Sequence, residues 1–347
     1  MHSGELTPRG AESLSARRRV GWTDLKVAPL CLGTMQFGWS MTSVAAMDLL
    51  DAYVEAGGNF IDTADMYGPD QTRRSWAQAR PHVGVSEQII GRWLRDRGNR
   101  DQLVIATKVR AQMWDGHDGQ GLSPAHIRRA AEDSLTRLGI DTIDLYQAHW
   151  PDDQVRLEET LGAFQELIDA GKVRYAGTSN FPAETLSTLL ELNRTHRYPR
   201  IAAEQLRYHL LNRAEYEASL RDLALSENIG ILCYSPLASG FLTGKYTRDR
   251  AHPDSDRLRF VSQYFTEPGW LLVDELGRIA ADHQVTPAAV ALAWLLAQPG
   301  ISAVIVGTNS LEHLRRALPA ARLRLTTGEV DRLAKLGWQN SRIEFQS

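Results

Sequence analysis

The sequence predicts an α/β fold, a (β/α)8 TIM barrel with an N-terminal β-hairpin and a long loop after strand 7. Helical patterns alternate with short apolar runs such as LVIAT and AVIVG, which are typical of parallel strands buried on both faces. Eight such units favour a closed barrel over an open sheet, and 347 residues suit one barrel with insertions. The predicted strands lie near residues 27–35, 59–64, 103–108, 143–149, 173–179, 201–206, 230–236 and 302–307.

The segment that precedes the first of these strands predicts the hairpin. In RRVGWTDLKVAP, Gly and Asp separate two short β-prone runs, and such a hairpin could plug the N-terminal end of the barrel. Residues 1–17 are predicted to form a flexible N-terminal tail, and residues 18–347 a single barrel domain.

Each helix is expected to be followed by a glycine and then by a strand, as SPAHIRRAAEDSLTRLGIDTIDLYQAHW illustrates. Ser123 is predicted to cap this helix, and Gly139 to end it in the left-handed conformation before the strand begins. In the next unit Asp152 or Asp153 is predicted as the cap and Gly171 as the terminator.

A long loop is predicted after strand 7, in LASGFLTGKYTRDRAHPDSDRLRFVSQYFTEPG. It spans roughly thirty residues, and loops of that length in compact domains are usually functional or disordered. We therefore expect it to contribute to a binding site.

The composition argues against several classes of partner. The formal net charge of −3 gives no electrostatic reason to expect nucleic acid or an anionic membrane. No segment approaches the roughly 18 uninterrupted apolar residues of a membrane span, and the first residues lack the apolar core of a secretion signal. Cys31 and Cys233 lie in apolar runs, which predicts buried reduced thiols and a cytoplasmic protein. The expected partner is a small molecule, and the sequence leaves a homo-oligomer open.

Four polar residues follow successive predicted strands, at the end of a barrel where catalytic groups are found. They are Asp62, Tyr67, Lys108 and His149. Taken singly, each has a more ordinary explanation: a hydrogen-bond acceptor, a packed ring, a solvated rim lysine and a core histidine. Their placement predicts that all four point into one pocket.

Together the four suit carbonyl reduction. A phenol with a pKa of about 10 is a poor acid–base group at neutral pH unless a nearby cation favours its phenolate. Lys108 can supply that cation to Tyr67, and Asp62 can balance the charge of the lysine. His149 can orient the substrate oxygen. Because no side chain provides hydride, a nicotinamide cofactor is implied.

The chain contains neither a Rossmann fingerprint nor a Walker loop, so the cofactor phosphates need another site. The candidates are the segment 239–245 with Lys245, and Gly307-Thr308-Asn309, which opens the helix SLEHLRRAL. The scattered histidines show no metal-ligand spacing, and we predict no metal.

The chain also carries an ordered series of segments, namely GWTDLKVAPLCLGTM, NFIDTADMYG, VIATKV, DLYQAHWPD, GKVRYAGTSNF, EQLRYHLL, YSPLASGFLTGKY and VIVGTNSLEHL. From about residue 18 to 337 it thereby resembles the aldo-keto reductases, especially the branch that includes potassium-channel β-subunits and many bacterial reductases. The resemblance implies NADP(H)-dependent reduction of aldehydes or ketones, or oxidation of the corresponding alcohols or sugars, and leaves NAD(H) open as an alternative.

The resemblance also implies a role for individual residues. The four residues above become a catalytic tetrad, with Tyr67 as acid/base. Ser179 and Asn180 would bind the carboxamide, Arg257 would reach the adenosine phosphate, and Tyr208 would either flank the nicotinamide ring or pack in the core. The implied cofactor residues are Thr34, Met35, Asp62, Ser179, Asn180, Gln205, Ser235, Pro236, Leu237, Ser239, Gly240, Lys245, Arg257, Gly307, Asn309 and His313.

Two regions are less well specified. At the adenine end His313, Arg316 and Ala317 stand where the family commonly has Gln and then Glu-Asn, so Arg316 either contacts a 2′-phosphate or lies on a solvated helix face. The preference for NADP rests on Lys245, Arg257 and the family. For the substrate pocket, the predicted walls are Trp39, Trp114 and Trp150, although tryptophans in loops equally often pack on a barrel rim.

Two other classes of function compete with the reductase. A regulatory module that binds nicotinamide and reports redox state to a partner would have less need of all four catalytic residues. A barrel hydrolase or isomerase without nicotinamide would require the ordered segments to coincide by chance. Turnover of NADPH with carbonyl substrates separates these alternatives.

Overall fold

Eight parallel strands close into a barrel, as the sequence predicts. The structure, a computed structural model, describes residues 14–69, 83–196, 198–248 and 258–341. Around the barrel the strands run in the order β3-β4-β5-β6-β7-β8-β9, and β10 closes the circle between β9 and β3. The barrel strands are Leu30–Gly33 (β3), Phe60–Asp62 (β4), Val104–Val109 (β5), Ile143–Ala148 (β6), Val173–Ser179 (β7), Ala203–Arg207 (β8), Gly230–Tyr234 (β9) and Ile301–Gly307 (β10).

Helices connect the strands and cover the barrel with their apolar faces, which are buried in one continuous core. Among the described residues no single helix is long and apolar enough to cross a membrane, and α8 and α9 meet that test only as a pair bent by 95°. The described helices are Ser43–Glu55 (α1), Val85–Arg97 (α2), Pro124–Leu138 (α3), Leu157–Asp169 (α4), Ala183–Thr195 (α5), Arg221–Ser226 (α6), Leu258–Val261 (α7), Glu267–Asp282 (α8), Pro287–Leu296 (α9), Leu311–Ala317 (α10) and Thr327–Ser341 (α11).

The predicted N-terminal hairpin is present and closes one end of the barrel. It consists of Arg18–Arg19 (β1) and Lys26–Val27 (β2), which pair antiparallel. Its apolar residues Val20, Leu25 and Val27 are buried in the same cluster as the side chains that fill the barrel interior. The interior is therefore a packed core that is sealed from the N-terminal end.

The packed structure begins before residue 18. Leu14 is fully buried, and its N–H donates to the carbonyl of Ala56 at the end of α1. Arg17 donates to the carbonyl of Gly57 at 2.9 Å. Residues 14–17, assigned to the tail from the sequence, thus pack against α1, while residues 1–13 lie outside the described part of the chain.

The helix ends agree with the sequence except at the start of α4, since Gly171 follows the end of α4 with a φ of 71° as predicted. Ser123 caps α3 by accepting from a backbone N–H in the first turn, and Gly139 follows with a φ of 64°. The cap predicted for α4 is wrong. This helix begins at Leu157, and Asp152 instead accepts from the N–H of Leu122 at 2.8 Å, which fastens the preceding loop to the start of α3.

The predicted long loop after the seventh barrel strand, β9, contains short helical segments. A 3-10 segment, Ala238–Thr243, follows the strand directly, and α7 with another 3-10 segment, Ser262–Tyr264, precedes α8. Residues 249–257 lie outside the described residues. The first described part of this connection therefore lies at the end of β9, where it can contribute to a site.

Helices α2 and α3 cross at a point where only glycine fits. A Cβ atom at Gly91 in α2 would lie 2.2 Å from the carbonyl oxygen of Arg137 in α3. The same helices share a buried ion pair, in which the Arg137 Nε donates to Glu87 at 2.7 Å. The two contacts fix α2 against α3 and thereby hold the loop that carries Tyr67.

Candidate active site

The direction of the side chains follows from the alternation of residues along each strand. On β5, Val104 and Ala106 belong to the cluster inside the barrel, so Lys108 lies on the same inner face, one layer closer to the carboxyl ends. On β8, Ala203 belongs to that cluster, and Gln205 is the next inward residue. The polar layer of the site therefore rests on an apolar floor.

Lys108 is the centre of this layer and is fully buried. Its Nζ donates to Asp62 Oδ2 at 2.6 Å and to the carbonyl of Thr63 at 2.8 Å, and it lies 3.5 Å from the hydroxyl oxygen of Tyr67. The loop after β4 brings Tyr67 back over the barrel, where its ring stays partly exposed. Three of the four predicted catalytic residues thus meet around one ammonium group.

The charges of this group follow from its burial. Burial alone would lower the pKa of Lys108, but the Asp62 carboxylate and the neighbouring phenol outweigh it and raise the pKa above its usual value. For Tyr67, burial raises the pKa, and Lys108 opposes that rise. In the free protein the lysine is therefore a cation and the tyrosine a neutral phenol at pH 7.

Two glutamines hold the carboxylate that balances Lys108. Gln205 Nε2 donates to Asp62 Oδ1 at 2.8 Å, and Gln147 approaches the same oxygen at 3.4 Å. Both glutamines are buried. Asp62 thereby directs one oxygen to the lysine and the other to amide donors, which fixes the orientation of the pair.

His149 lies beside Tyr67, with ring centroids 6.1 Å apart in an edge arrangement. Burial, together with the cations Lys108 and Arg110, lowers the pKa of His149 well below its usual value, so the ring is neutral at pH 7. Its Nδ1 atom is buried without a hydrogen-bond partner among the described residues. A neutral imidazole retains one N–H that can donate to a substrate oxygen.

The ends of β7 and β9 meet next to this group. Asn180, with a φ of 61°, donates to the carbonyl of His149 at 3.0 Å and accepts from the hydroxyl of Tyr234 at 2.8 Å. Tyr234 packs on the interior cluster of the barrel. Tyr234 is not among the site residues predicted from the sequence, although alternation with the inward Leu232 indicates that it lies on the inner face.

Tyr208, for which the sequence left open a place beside the nicotinamide ring, lies in the core. It is almost fully buried, and its ring packs against Tyr216 and Trp294. Its hydroxyl donates to Glu217 at 2.7 Å. Of the two alternatives left open for Tyr208, the structure supports packing in the core.

The segment after β9 has an unusual backbone that suits anion binding. Ser235, Ala238, Ser239 and Gly240 all have positive φ values, from 49° to 101°. Runs of such conformations form concave nests of backbone N–H groups, and strained residues of this kind cluster at functional sites. Lys245 folds back over the segment, since a Cβ at Gly240 would lie 3.2 Å from its Nζ. Of the other predicted cofactor residues here, Pro236 is buried and Leu237 partly exposed.

The end of β10 lies beside this segment because β9 and β10 are paired. Gly307 and Asn309 are exposed there. Helix α10 begins one residue after its cap, Ser310, whose side chain accepts from the N–H of His313 at 3.1 Å. The N–H of His313, one of the groups at this helix start that was expected to bind an anion, is therefore already paired with Ser310. Arg316 lies 3.4 Å from Glu312 in an exposed ion pair.

On the other side of β10, the end of β3 carries Thr34 and Met35. The Thr34 hydroxyl donates to the carbonyl of Asp62 at 3.0 Å and accepts from Ser86 at 2.8 Å, so it ties β3, β4 and α2 together. Met35 is 38% exposed although it is a large apolar residue. Of these two predicted cofactor residues, Met35 is therefore the exposed one, and Thr34 is buried.

The three predicted pocket tryptophans occupy different positions. Trp150 stacks on the ring of His149 with a centroid separation of 3.8 Å, and Trp39 is partly exposed in the loop after β3. Trp114 packs against His126 at 4.7 Å, with Arg129 over its other side at 4.1 Å, so it contacts α3. Trp150 is the one in contact with a predicted catalytic residue.

Three further predictions concern Arg257, the two cysteines and metal binding. Arg257 lies outside the described residues. Cys31 and Cys233 are buried free thiols. Within the described ranges no group of three or more His, Cys, Asp or Glu side chains is arranged to hold a metal ion.

The fold and the site together define a class of enzyme. A buried ammonium, held by a carboxylate against a phenol and placed beside a neutral imidazole, is an arrangement for moving a proton to or from an oxygen atom. It stands at the carboxyl ends of the strands of a (β/α)8 barrel, where barrel enzymes carry their active sites.

Comparisons with known proteins specify the family. The model of the Aldo/keto reductase family matches residues 29–337. The oxidoreductase YrpG of Bacillus subtilis is 36% identical over 321 residues, 88% of this chain and 91% of the relative. Protein tas of Escherichia coli is 34% identical over 333 residues, covering 89% and 93% of the two chains. The aldo-keto reductase yakc [NADP(+)] of Schizosaccharomyces pombe is 31% identical, covering 86% and 84%. The chain belongs to the aldo/keto reductase family, and the protein is an oxidoreductase.

Proposed function

We propose that the protein reduces aldehydes or ketones with NADPH by direct hydride transfer, with Tyr67 as the acid/base group. The observation that carries this proposal is the buried Lys108, whose Nζ lies 2.6 Å from Asp62 and 3.5 Å from the Tyr67 hydroxyl. The reverse reaction, oxidation of an alcohol or a sugar, uses the same site. The cofactor supplies the hydride when it is bound.

The proton of the reaction comes from Tyr67. As the carbonyl oxygen gains negative charge, the phenol gives it a proton and becomes a phenolate. Lys108 stabilises that phenolate because the ammonium is buried and lies within hydrogen-bond reach, where an electrostatic interaction is stronger than in water. Asp62 keeps Lys108 protonated and in place. His149, as a neutral imidazole, donates to the carbonyl oxygen and aims it at Tyr67.

The residues at the strand ends suit a nicotinamide dinucleotide. Ser179, Asn180 and Gln205 would hold the carboxamide beside the tetrad, and the Tyr234 ring would lie against the nicotinamide. The positive-φ segment after β9 and Lys245 would hold the phosphates. These donors fit the group. The name of the fission-yeast relative includes NADP(+), and with Lys245 it supports NADPH as the preferred cofactor, with NADH as the weaker alternative.

The Tyr67→Phe variant tests this proposal, because it removes only the hydroxyl group. We expect kcat with a reactive aldehyde to fall by about 10²- to 10⁴-fold, the usual contribution of general acid catalysis. The Kd of NADPH, measured by quenching of tryptophan fluorescence, should stay close to the wild-type value. Kinetics of Tyr67→Phe that match the wild type would refute the role of Tyr67.

A panel of aldehydes, ketones and sugars tests the reaction itself. Oxidation of NADPH, followed at 340 nm, should depend on at least one carbonyl compound in the panel. If NADPH binds and no compound is turned over, the protein is better described as a nicotinamide-binding regulatory module. If NADPH does not bind, the assignment of the cofactor fails.

A further inference from the structure

The inner face of β8 continues beyond the catalytic layer to a positively charged residue. Ala203 and Gln205 point into the barrel, and Arg207 is the next residue on that face. Its register partner on β9 is Tyr234, so the two residues lie side by side at the mouth. Arg207 therefore occupies the layer directly above Gln205.

The guanidinium of Arg207 is not neutralised within the described part of the chain. It is exposed, and it makes no hydrogen bond to a described residue and no ion pair within 4.0 Å of a described carboxylate. Arg213, six positions later, differs because it forms an ion pair with Glu217 at 2.7 Å.

Four titratable groups face Arg207, and none of them forms an ion pair with it. Glu215 is the carboxylate that interacts electrostatically with Arg207. Burial raises the pKa of Glu215 and Arg207 opposes that rise, but no oxygen of Glu215 lies within 4.0 Å of a nitrogen of Arg207. His209 is neutral, since burial and then Arg207 lower its pKa to about 3. Tyr234 and Tyr264 are neutral phenols. The charge of Arg207 is thus left without a directly paired carboxylate among the described residues.

Arg207 is connected to the group around Lys108 through Tyr234, its register partner on β9. The hydroxyl of Tyr234, the neighbour of Arg207, donates to Asn180 at 2.8 Å, and Asn180 in turn donates to the carbonyl of His149. Tyr234 also interacts electrostatically with Tyr67. A small substrate whose carbonyl oxygen lies between Tyr67 and His149 can therefore extend toward Arg207.

A second arginine adds to the positive charge from the other side of the mouth. Arg110 follows β5 two positions after Lys108, and it adopts a φ of 142°, which is strained for a residue with a side chain. Its Nε donates to the carbonyl of Pro151 at 2.9 Å, which fixes the side chain near His149. Its Nη atoms donate to no described residue.

We propose that the substrate carries an anionic group, a carboxylate or a phosphate, that pairs with Arg207 while its carbonyl is reduced. The planar guanidinium offers two parallel N–H groups that match the oxygens of either anion. Arg207 is thus a specificity-determining residue, and Arg110 contributes to the field that attracts the anion. This inference rests on the proposed reductase function.

The experiment compares matched pairs of substrates with the full-length protein and NADPH. Succinic semialdehyde is compared with its methyl ester, and glyceraldehyde 3-phosphate with glyceraldehyde, so that the two arms distinguish carboxylate from phosphate. In at least one arm the wild type should have the higher kcat/KM for the anion. Arg207→Gln should lower that value by about 10- to 100-fold, the usual effect of losing a hydrogen bond to a charged group. The neutral partner should keep its wild-type kcat/KM.

Three further measurements make the result specific. Arg207→Lys keeps the charge and should retain part of the preference. Arg92→Gln removes an exposed arginine on α2 and should leave all four kcat/KM values unchanged. The Kd of NADPH should be the same in Arg207→Gln as in the wild type.

The outcomes separate this inference from the proposed function. Equal kcat/KM values for neutral and anionic substrates in the wild type, or an equal loss for both in Arg207→Gln, would overturn the inference alone. A higher Kd of NADPH in Arg207→Gln would make Arg207 a cofactor contact and also overturn it. Absence of turnover with all four compounds would overturn the proposed function and the inference with it.

Discussion

The Asp62→Asn variant tests whether the buried ion pair is arranged as described. The substitution keeps the shape of the side chain and removes its charge, so Lys108 loses its counter-charge. The side chains of Lys108 and Asp62 are 0% and 3% exposed, and water cannot take the place of the carboxylate. The result is an unpaired cation in the core of the barrel.

The size of the effect follows from two independent estimates. Removing one partner of a buried ion pair typically costs about 3–5 kcal/mol. Alternatively Lys108 can lose its proton, and an ordinary lysine with a pKa of about 10.4 pays about 4.6 kcal/mol to do so at pH 7, at about 1.36 kcal/mol per pH unit. We therefore expect the free energy of unfolding at pH 7 to fall by about 3–5 kcal/mol.

The dependence on pH has a defined sign. In the wild type the pKa of Lys108 is raised, so its contribution is complete below the unfolded pKa and is lost only as the pH rises through the folded one. In Asp62→Asn the folded pKa of Lys108 is depressed by burial, and the unfolded chain binds the extra proton. The stability deficit of the variant should therefore shrink by about 2.7 kcal/mol between pH 7 and pH 9.

Urea unfolding followed by tryptophan fluorescence at pH 7 and pH 9 measures both quantities. The control is Glu132→Gln, which removes one partner of the exposed pair Glu132–Lys172 and should change the unfolding free energy by less than about 1 kcal/mol. An Asp62→Asn variant with the stability and pH dependence of the wild type would show that Lys108 is not held as described.

Two further predictions concern stability. Burial raises the pKa of Glu204 from 4.5 to about 8, so its contribution is present below the unfolded pKa and lost as the pH rises through about 8. Urea unfolding of Glu204→Gln should accordingly match the wild type at pH 5 and exceed it at pH 9, and equal stability at both pH values would contradict the assigned burial. Gly91→Ala should lower the melting temperature, because its Cβ would meet the Arg137 carbonyl oxygen at 2.2 Å and force α2 from α3 at a cost of about 1–3 kcal/mol or more. The matched control is Gly277→Ala in α8, where the added Cβ would meet no side chain and no other element within 4 Å, and this variant should gain roughly 0.5–1 kcal/mol. A Gly91→Ala variant as stable as the wild type would disprove the close crossing.

Features set by local sequence were predictable. The helix that Ser123 begins and Gly139 ends appears as expected because a side-chain cap and a left-handed glycine act within one turn of the chain. The meeting of Asp62, Lys108 and His149 was predictable as well, because parallel strands of one barrel end at the same face.

Features that depend on distant contacts were not predictable. Tyr208 and Tyr234 are both aromatic residues near strand ends. Alternation along β9 places Tyr234 on the inner face, whereas the packing of Tyr208 against Trp294 depends on a distant part of the chain. Asp152 has the side chain of a helix cap, but Leu122, from another part of the chain, supplies the N–H that it accepts. Leu14 falls within the predicted tail because its partner, the carbonyl of Ala56 at the end of α1, lies far along the sequence.

The hairpin at the bottom of the barrel has a consequence for the order of events in turnover. Val20, Leu25 and Val27 close the barrel at that end, so among the described residues the site is reached from the carboxyl ends of the strands. A nicotinamide that reaches the layer of Gln205 would form the floor on which the carbonyl compound rests. In the proposed reductase the dinucleotide would therefore bind before the carbonyl compound and leave after the alcohol, which is a compulsory order of binding and release.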